Sequence, residues 1–158
     1  MLNREELEKQ AKKDAPAFKT FYRKNKKKIE KMDDLVHNLH EEIVECTDCL
    51  ECANCCRSLG PAIHDKDIER LAKVLKMKPS ELVSTYLKVD EDGDYVFSSM
   101  PCPFLMPDNY CSVYESRPKA CREYPHTDRK RFFQIYNLTV KNSETCPVAY
   151  GVLKRLTE

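Results

Sequence analysis

The sequence predicts a mainly α-helical chain with a small β-hairpin and an irregular, cysteine-rich part, an α+β arrangement. Three observations carry that expectation. Apolar residues recur at steps of three and four along the first 45 residues, the period of one helix face. Two strand-like runs flank Glu91-Asp92-Gly93-Asp94, a turn composition. From Met100 to Pro125 proline and cysteine alternate with polar residues, which suits no regular element.

The N-terminal segment, residues 1–45, reads as helical throughout. A short first helix is expected to end near Asp14-Ala15, with Pro16 in the first turn of a second helix, where its missing N–H costs nothing. Phe18, Phe21, Tyr22, Ile29, Met32, Leu35, Val36, Leu39 and Ile43 then form one apolar stripe. A helix of about 30 residues would span about 45 Å. That is more than a small domain needs, and it points to a segment that projects or meets a protein partner. The same helix carries Arg23-Lys24-Asn25-Lys26-Lys27-Lys28 and ends in Glu41, Glu42 and Glu45. Acids at a helix C-terminus oppose the macrodipole, so a basic surface, a metal site or a partner is expected to compensate them.

After the loop Arg57-Ser58-Leu59-Gly60-Pro61, one helix starts near Asp65 with Ile68, Leu71, Ala72 and Leu75 inward. A second starts near Pro79 and buries Leu82, Val83, Tyr86 and Leu87. The pair resembles a helix-turn-helix. Glu81, Val83, Ser84 and Thr85 lack the basic and amide groups that read base edges, so a packing αα-hairpin fits better. Lys88-Val89-Asp90 and Tyr95-Val96-Phe97 form the expected hairpin. Asp90, Asp92 and Asp94 do not make a calcium loop, because the sixth position is Tyr95 and the twelfth Pro101, not glycine and glutamate. Residues 131–140, rich in aromatic and β-branched types, read as a strand. Cys146-Pro147 opens a final helix through Val148, Val152 and Leu156.

The chain has 158 residues, which suits one domain plus an appendage. The formal net charge of +1 argues against a chain-wide grip on nucleic acid. No apolar run approaches the roughly 20 residues of a membrane span. The N-terminus lacks the apolar stretch of a signal peptide, so a cytoplasmic location is expected. In a reducing compartment dense cysteine implies metal or redox chemistry more than structural disulfides.

The nine cysteines carry the functional signal. Cys49, Cys52, Cys55 and Cys56 form a tight run, and Cys102, Cys111, Cys121 and Cys146 follow far apart. These eight are the candidate metal ligands, and residues 46–158 the candidate metal-stabilised domain. Two-residue gaps between thiols are standard in zinc and iron-sulfur sites. Three close thiolates plus a remote one followed by proline is how bacterial ferredoxins hold a four-iron cluster. Cys102-Pro103 and Cys146-Pro147 both have that form. The pattern favours an iron-sulfur cluster of the [4Fe-4S] type over Zn2+. Two sets of four or one larger joint site both fit the count. His126 could replace one thiolate, and His37 and His40 lie three apart on a helix. No nucleophile elbow, phosphate loop, dinucleotide fingerprint or His-Glu-x-x-His is present, so any catalysis rests with the metal.

Cys49-x-x-Cys52-x-x-Cys55-Cys56-Arg57 resembles the signature of the CxxCxxCC, or YkgJ-type, cysteine-cluster family. Cys102-Pro103-Phe104-Leu105, Cys111-Ser112-Val113-Tyr114 and Arg117-Pro118-x-x-Cys121-Arg122-x-Tyr124-Pro125 are similar to its second block, and Cys146-Pro147 to its end. The likeness spans roughly residues 49–150 and leaves Cys46 outside. It implies zinc or iron chelation, and members are often described as iron-sulfur proteins or oxidoreductases. The expected function is therefore a metal-binding protein holding an iron-sulfur cluster or clusters, with a redox or electron-transfer role. The alternative is a zinc-stabilised interaction module or a chelator.

Overall fold

The structure, a computed structural model, describes residues 3–158. In chain order the elements are α1 (Arg4–Ile29), α2 (Asp33–Glu45), α3 (Cys49–Cys52), α4 (Asn54–Ser58), α5 (Asp65–Val74), α6 (Pro79–Tyr86), β1 (Leu87–Val89), β2 (Tyr95–Phe97), α7 (Lys119–Glu123), α8 (Tyr136–Asn142) and α9 (Pro147–Thr157). Single 3-10 turns occupy Tyr114–Ser116 and Phe132–Ile135. The fold is thus mainly α with a small antiparallel hairpin and a long N-terminal helix, as expected. Among the described residues, no helix is long and apolar enough to cross a membrane. The chain divides into two compact units, Met1–Cys49 with Pro125–Glu158, and Leu50–Tyr124.

In the first unit α1, α2 and α8 pack around α9. Helix α1 opens on a reciprocal cap: the Glu6 N–H donates to Asn3 Oδ1 at 2.9 Å, and the Asn3 N–H to Glu6 Oε2 at 3.0 Å, which meets two otherwise orphaned donors. The expected boundary at Ala15 does not occur, because α1 runs through Pro16. An interior proline costs about 3 kcal/mol. Tertiary packing on both sides offsets it, since Leu7, Ala11 and Phe18 are all buried. Just before the proline, Asp14 Oδ2 accepts from Tyr150 Oη at 2.8 Å and Lys154 Nζ at 3.2 Å. The helix bends instead at Asn25, which has φ −110° and ψ 16°, and whose side-chain amide donates to the Phe21 carbonyl at 3.0 Å. The chain breaks before Asp33, so the apolar stripe belongs to two helices and not to one long rod. Of the acids at the end of α2, Glu42 is met by Arg155 of α9 at 2.7 Å.

Residues 131–140 are not a strand. They form the 3-10 turn and most of α8. The Asp33 carboxylate accepts the N–H groups of Arg131 at 2.5 Å and Phe132 at 3.0 Å, and so caps this helical stretch. Phe132, Tyr136 and Val140, four apart, are all buried. Tyr136 stacks on Tyr22 with ring centroids 4.8 Å apart and donates from its hydroxyl to the Phe18 carbonyl at 3.1 Å. Packing on α1 thereby overrides β-propensity, which is the weaker preference.

Gly151 lets α2 and α9 approach. A Cβ there would lie 3.2 Å from Ile43 Cδ1 and 3.3 Å from Cγ2. Gly151→Val is expected to cost about 1–3 kcal/mol in urea unfolding, the range for overpacking. Trimming Ile43 to alanine should recover part of that cost. Purely additive losses in the double variant would contradict the contact.

In the second unit α5 and α6 form the expected αα-hairpin, with Pro79 as the first residue of α6. Ile68, Leu71, Leu82, Leu87, Phe97 and Phe104 build its core. Strand β1 pairs antiparallel with β2, Leu87 opposite Phe97. Asp90 Oδ1 accepts the N–H groups of Asp92 at 3.0 Å and Asp94 at 2.9 Å, so these aspartates serve the turn.

Candidate metal centre

Four segments of the second unit bring Cys56, Cys102, Cys111 and Cys121, and the first of them also carries Cys55. Cys56 lies in α4, and its carbonyl accepts the Cys102 N–H at 2.8 Å. The chain then turns, with the Leu105 N–H donating to the Cys102 carbonyl at 3.0 Å, and Cys111 pairs back across a single bridge to Leu105. Cys121 sits in α7, its N–H bonded to the Pro118 carbonyl at 3.0 Å. All four side chains are half-buried.

These thiols lie close enough to act on one another electrostatically. Burial pushes Cys121 up to about 12, and the charges of Cys102, Cys56 and Cys111 reinforce the shift. Burial likewise raises Cys102 to about 11, with Cys56 and Cys111 adding repulsion, while the amides of Phe104 and Leu105 favour its thiolate. Cys111 is raised chiefly by burial and eased by the Val113 amide. Cys56 is the exception, drawn down to about 7. A hydrogen bond from Cys55, whose sulfur is 3.9 Å away, is the largest cause; burial opposes it, and the cations of Arg57 and Arg117 add to the lowering. Among the described residues, no three His, Cys, Asp or Glu side chains are grouped closely enough to hold a single ion as they stand.

The donor set nevertheless fits a metal. Thiolates are the ligand form of cysteine. Amide N–H groups aimed at two of the sulfurs stabilise that form, and the hydrogen bonds they make are what tunes a thiolate-held centre. Burial resists thiolate formation unless a cation compensates it.

The other predicted residues sit elsewhere. Cys52 ends α3 and is half-buried, whereas Cys49 opens it and is exposed. Cys146 is the N-cap of α9, and it is buried. Cys49 and Cys146 belong to the first unit. Cys46 closes α2 in an exposed position. His37 and His40 are engaged by a loop of their own unit: His37 Nε2 lies 3.0 Å from the Arg129 carbonyl and His40 Nδ1 2.6 Å from Thr127 Oγ1. His126 holds a left-handed backbone with φ 67°.

A match to a family model decides the relationship. The CxxCxxCC model, described as a putative zinc- or iron-chelating domain, matches residues 48–147. The chain belongs to the CxxCxxCC family. The match opens after Cys46 and closes after Cys146, so the extra thiol lies outside the CxxCxxCC domain. No curated protein and no solved structure matches the chain. Metal binding is the function this family membership supports.

Sequence reasoning passed over the groups that hold the CxxCxxCC domain's second block in place. Asp67 in α5 is 2% exposed. Its Oδ1 accepts from Arg70 Nη2 at 2.6 Å and the Lys119 N–H at 3.0 Å, and its Oδ2 from the His64 N–H at 3.1 Å. Arg70 also donates to the carbonyls of Arg117 at 2.7 Å and Ser116 at 3.3 Å. This buckle fixes residues 116–119, the run that leads into Cys121. Arg57 is held by Asn109, to whose side-chain oxygen it donates. An acid three residues into a helix is a capping signal that would have singled out Asp67. The Lys119 amide lies 52 residues on, and the carbonyls that Arg70 reaches lie 46 and 47 residues from it, so these contacts leave no local mark.

Proposed function

We propose that this CxxCxxCC domain binds an iron-sulfur cluster through cysteine thiolates and serves a redox or electron-carrying role in the reducing cytoplasm. The observation that carries the reading is the meeting of Cys56, Cys102, Cys111 and Cys121, four thiols that sense one another's charge beside two arginines. Cys49, Cys52, Cys55 and Cys146 remain candidate ligands in this proposal on their sequence spacing alone. When bound, such a cluster supplies one-electron chemistry. The protein's own part is to hold the thiols, aim the Phe104, Leu105 and Val113 amides at sulfur, and place positive charge beside Cys56. The run of two-residue gaps and the Cys-Pro termini favour iron-sulfur. Zinc is the second reading, favoured by the four-thiol set itself, since four cysteines make a complete structural zinc site. In either case a protein partner is expected at the exposed face of α1, where Lys24, Lys26, Lys27 and Lys28 stand in solvent.

Purification without oxygen, followed by measurement of iron, acid-labile sulfide and zinc per chain with a visible spectrum, tests the proposal. About four or eight irons with matching sulfide and a brown colour are expected, the stoichiometry of cubane clusters held by four cysteines each. A colourless protein holding only zinc would replace the redox role with a structural one.

A further inference from the structure

The first unit gathers positive charge from two distant stretches of the chain. At the end of α1 and just beyond it, Arg23, Lys24, Lys26, Lys27, Lys28 and Lys31 are all exposed. A loop later in the chain brings Arg129, Lys130 and Arg131, which are exposed as well. Helix α2 fastens that loop beside the first group. The Asp33 carboxylate accepts the Arg131 N–H at 2.5 Å, and His37 Nε2 lies 3.0 Å from the Arg129 carbonyl. None of the nine cations has an ion-pair partner among the described residues. Residues 23–34 and 128–131 hold nine cations against four acids, while the whole chain carries a formal +1, so the remainder is net acidic. Lys26, Lys27 and Lys28 lie in the last turn of α1, where the macrodipole favours cations. The loop has no such reason. Its three cations precede the helical stretch that opens at Phe132, an end at which the dipole disfavours them.

We infer that the end of α1 and the 129–131 loop form one docking face for the acidic surface of a protein partner. The inference rests on the protein partner of the proposed function, and adds the partner's chemistry and the second half of its footprint. Exposed cations gathered on one face repel one another and draw in an oppositely charged surface, which speeds encounter. A bilayer fits less well. An interfacial helix needs its apolar face free to enter the lipid, and α1 has spent that face on the core, with Phe18 and Ile29 buried. A phosphate backbone also fits less well. Glu30, Asp34 and Asp128 stand exposed among the cations and would repel a continuous line of phosphates. A protein can set carboxylates against the cations and leave those three places free of negative charge. Repulsive positions of this kind select among partners.

The test is fluorescence anisotropy with the full chain at low salt. The probe is a labelled peptide carrying spaced pairs of glutamates in a serine-glycine background. A labelled oligothymidine of equal charge and phosphatidylserine-phosphatidylcholine vesicles are the competitors. The peptide is expected to bind best and to be released by salt. Lys27→Glu with Lys28→Glu should weaken it roughly 10- to 30-fold, the combined effect of two lost attractions and two new repulsions between exposed charges. Arg129→Glu with Lys130→Glu should weaken it by a similar factor. If either pair does not fold, Lys28→Glu and Lys130→Glu alone carry the test. A loop pair that binds like the wild type would overturn the shared face and leave a protein partner at α1 standing. No binding of the peptide would overturn the acidic chemistry of that partner. Tighter binding of the oligothymidine or the vesicles would overturn both the inference and the protein partner it rests on.

Discussion

Replacing Cys121 with serine is expected to strip most of the bound metal from the protein and to lower its melting temperature by roughly 6–11 °C. The ligand is a thiolate, and a serine hydroxyl does not ionise to replace it. Loss of a ligand should exceed the ~100-fold effect of losing an outer partner, which corresponds to about 2.8 kcal/mol at 1.4 kcal/mol per tenfold. When metal is saturating, lost binding energy appears as lost stability. Each kcal/mol moves the midpoint of a chain of this size by about 2–4 °C. Cys52→Ser and Cys56→Ser should behave alike. Cys46→Ser should change neither metal content nor melting, because Cys46 lies outside the matched domain and is exposed. Equal metal loss in all four variants would refute the ligand set.

Asp67→Ala is expected to destabilise the fold by about 3–5 kcal/mol, the cost of leaving a partly buried arginine and its carbonyl network without the central anion. Arg70→Met should cost less, since it also leaves Asp67 with two amide donors. The two losses should be strongly non-additive in a double-mutant cycle read by urea unfolding. Protons report the same contact. Burial works against the Asp67 charge, but the His64 amide, the Arg70 guanidinium and the Lys119 amide together hold its carboxyl below the ordinary range. A carboxyl depressed in the folded state contributes its full stability above the unfolded value of about 3.9. That contribution is lost as pH falls from there through the lowered folded value. Wild-type stability should therefore drop in this acid window more steeply than that of Asp67→Asn. Parallel acid profiles for the two proteins would show that the anion is not what fastens residues 116–119.

The local grammar of the chain was legible. Pro79 marked the start of α6, Cys146-Pro147 the start of α9, and the turn at 91–94 the hairpin, because proline, glycine and alternation act within a few residues. The mistakes came where distant contacts outweigh local preference. Pro16 predicted a helix start, but Leu7, Ala11 and Phe18 bury on both sides of it and carry α1 through. Residues 131–140 predicted a strand, but Asp33, almost 100 positions earlier, caps them into a helical turn.

By itself the sequence determined the candidate ligands and the family, since ligand spacing is a property of the chain and Cys49, Cys52, Cys55 and Cys56 carry the CxxCxxCC spacing inside the matched residues 48–147. Only the tertiary structure decided which cysteine-bearing segments are fastened to one another. The segments that carry Cys56, Cys102, Cys111 and Cys121, up to 65 residues apart, are tied by a Cys56–Cys102 backbone bond, a Leu105–Cys111 bridge and the Asp67–Arg70 buckle. It also decided what surrounds them. The charge of Arg117, the pull on Cys56 and the repulsion at Cys121 depend on distance and burial, which no spacing in a linear sequence encodes.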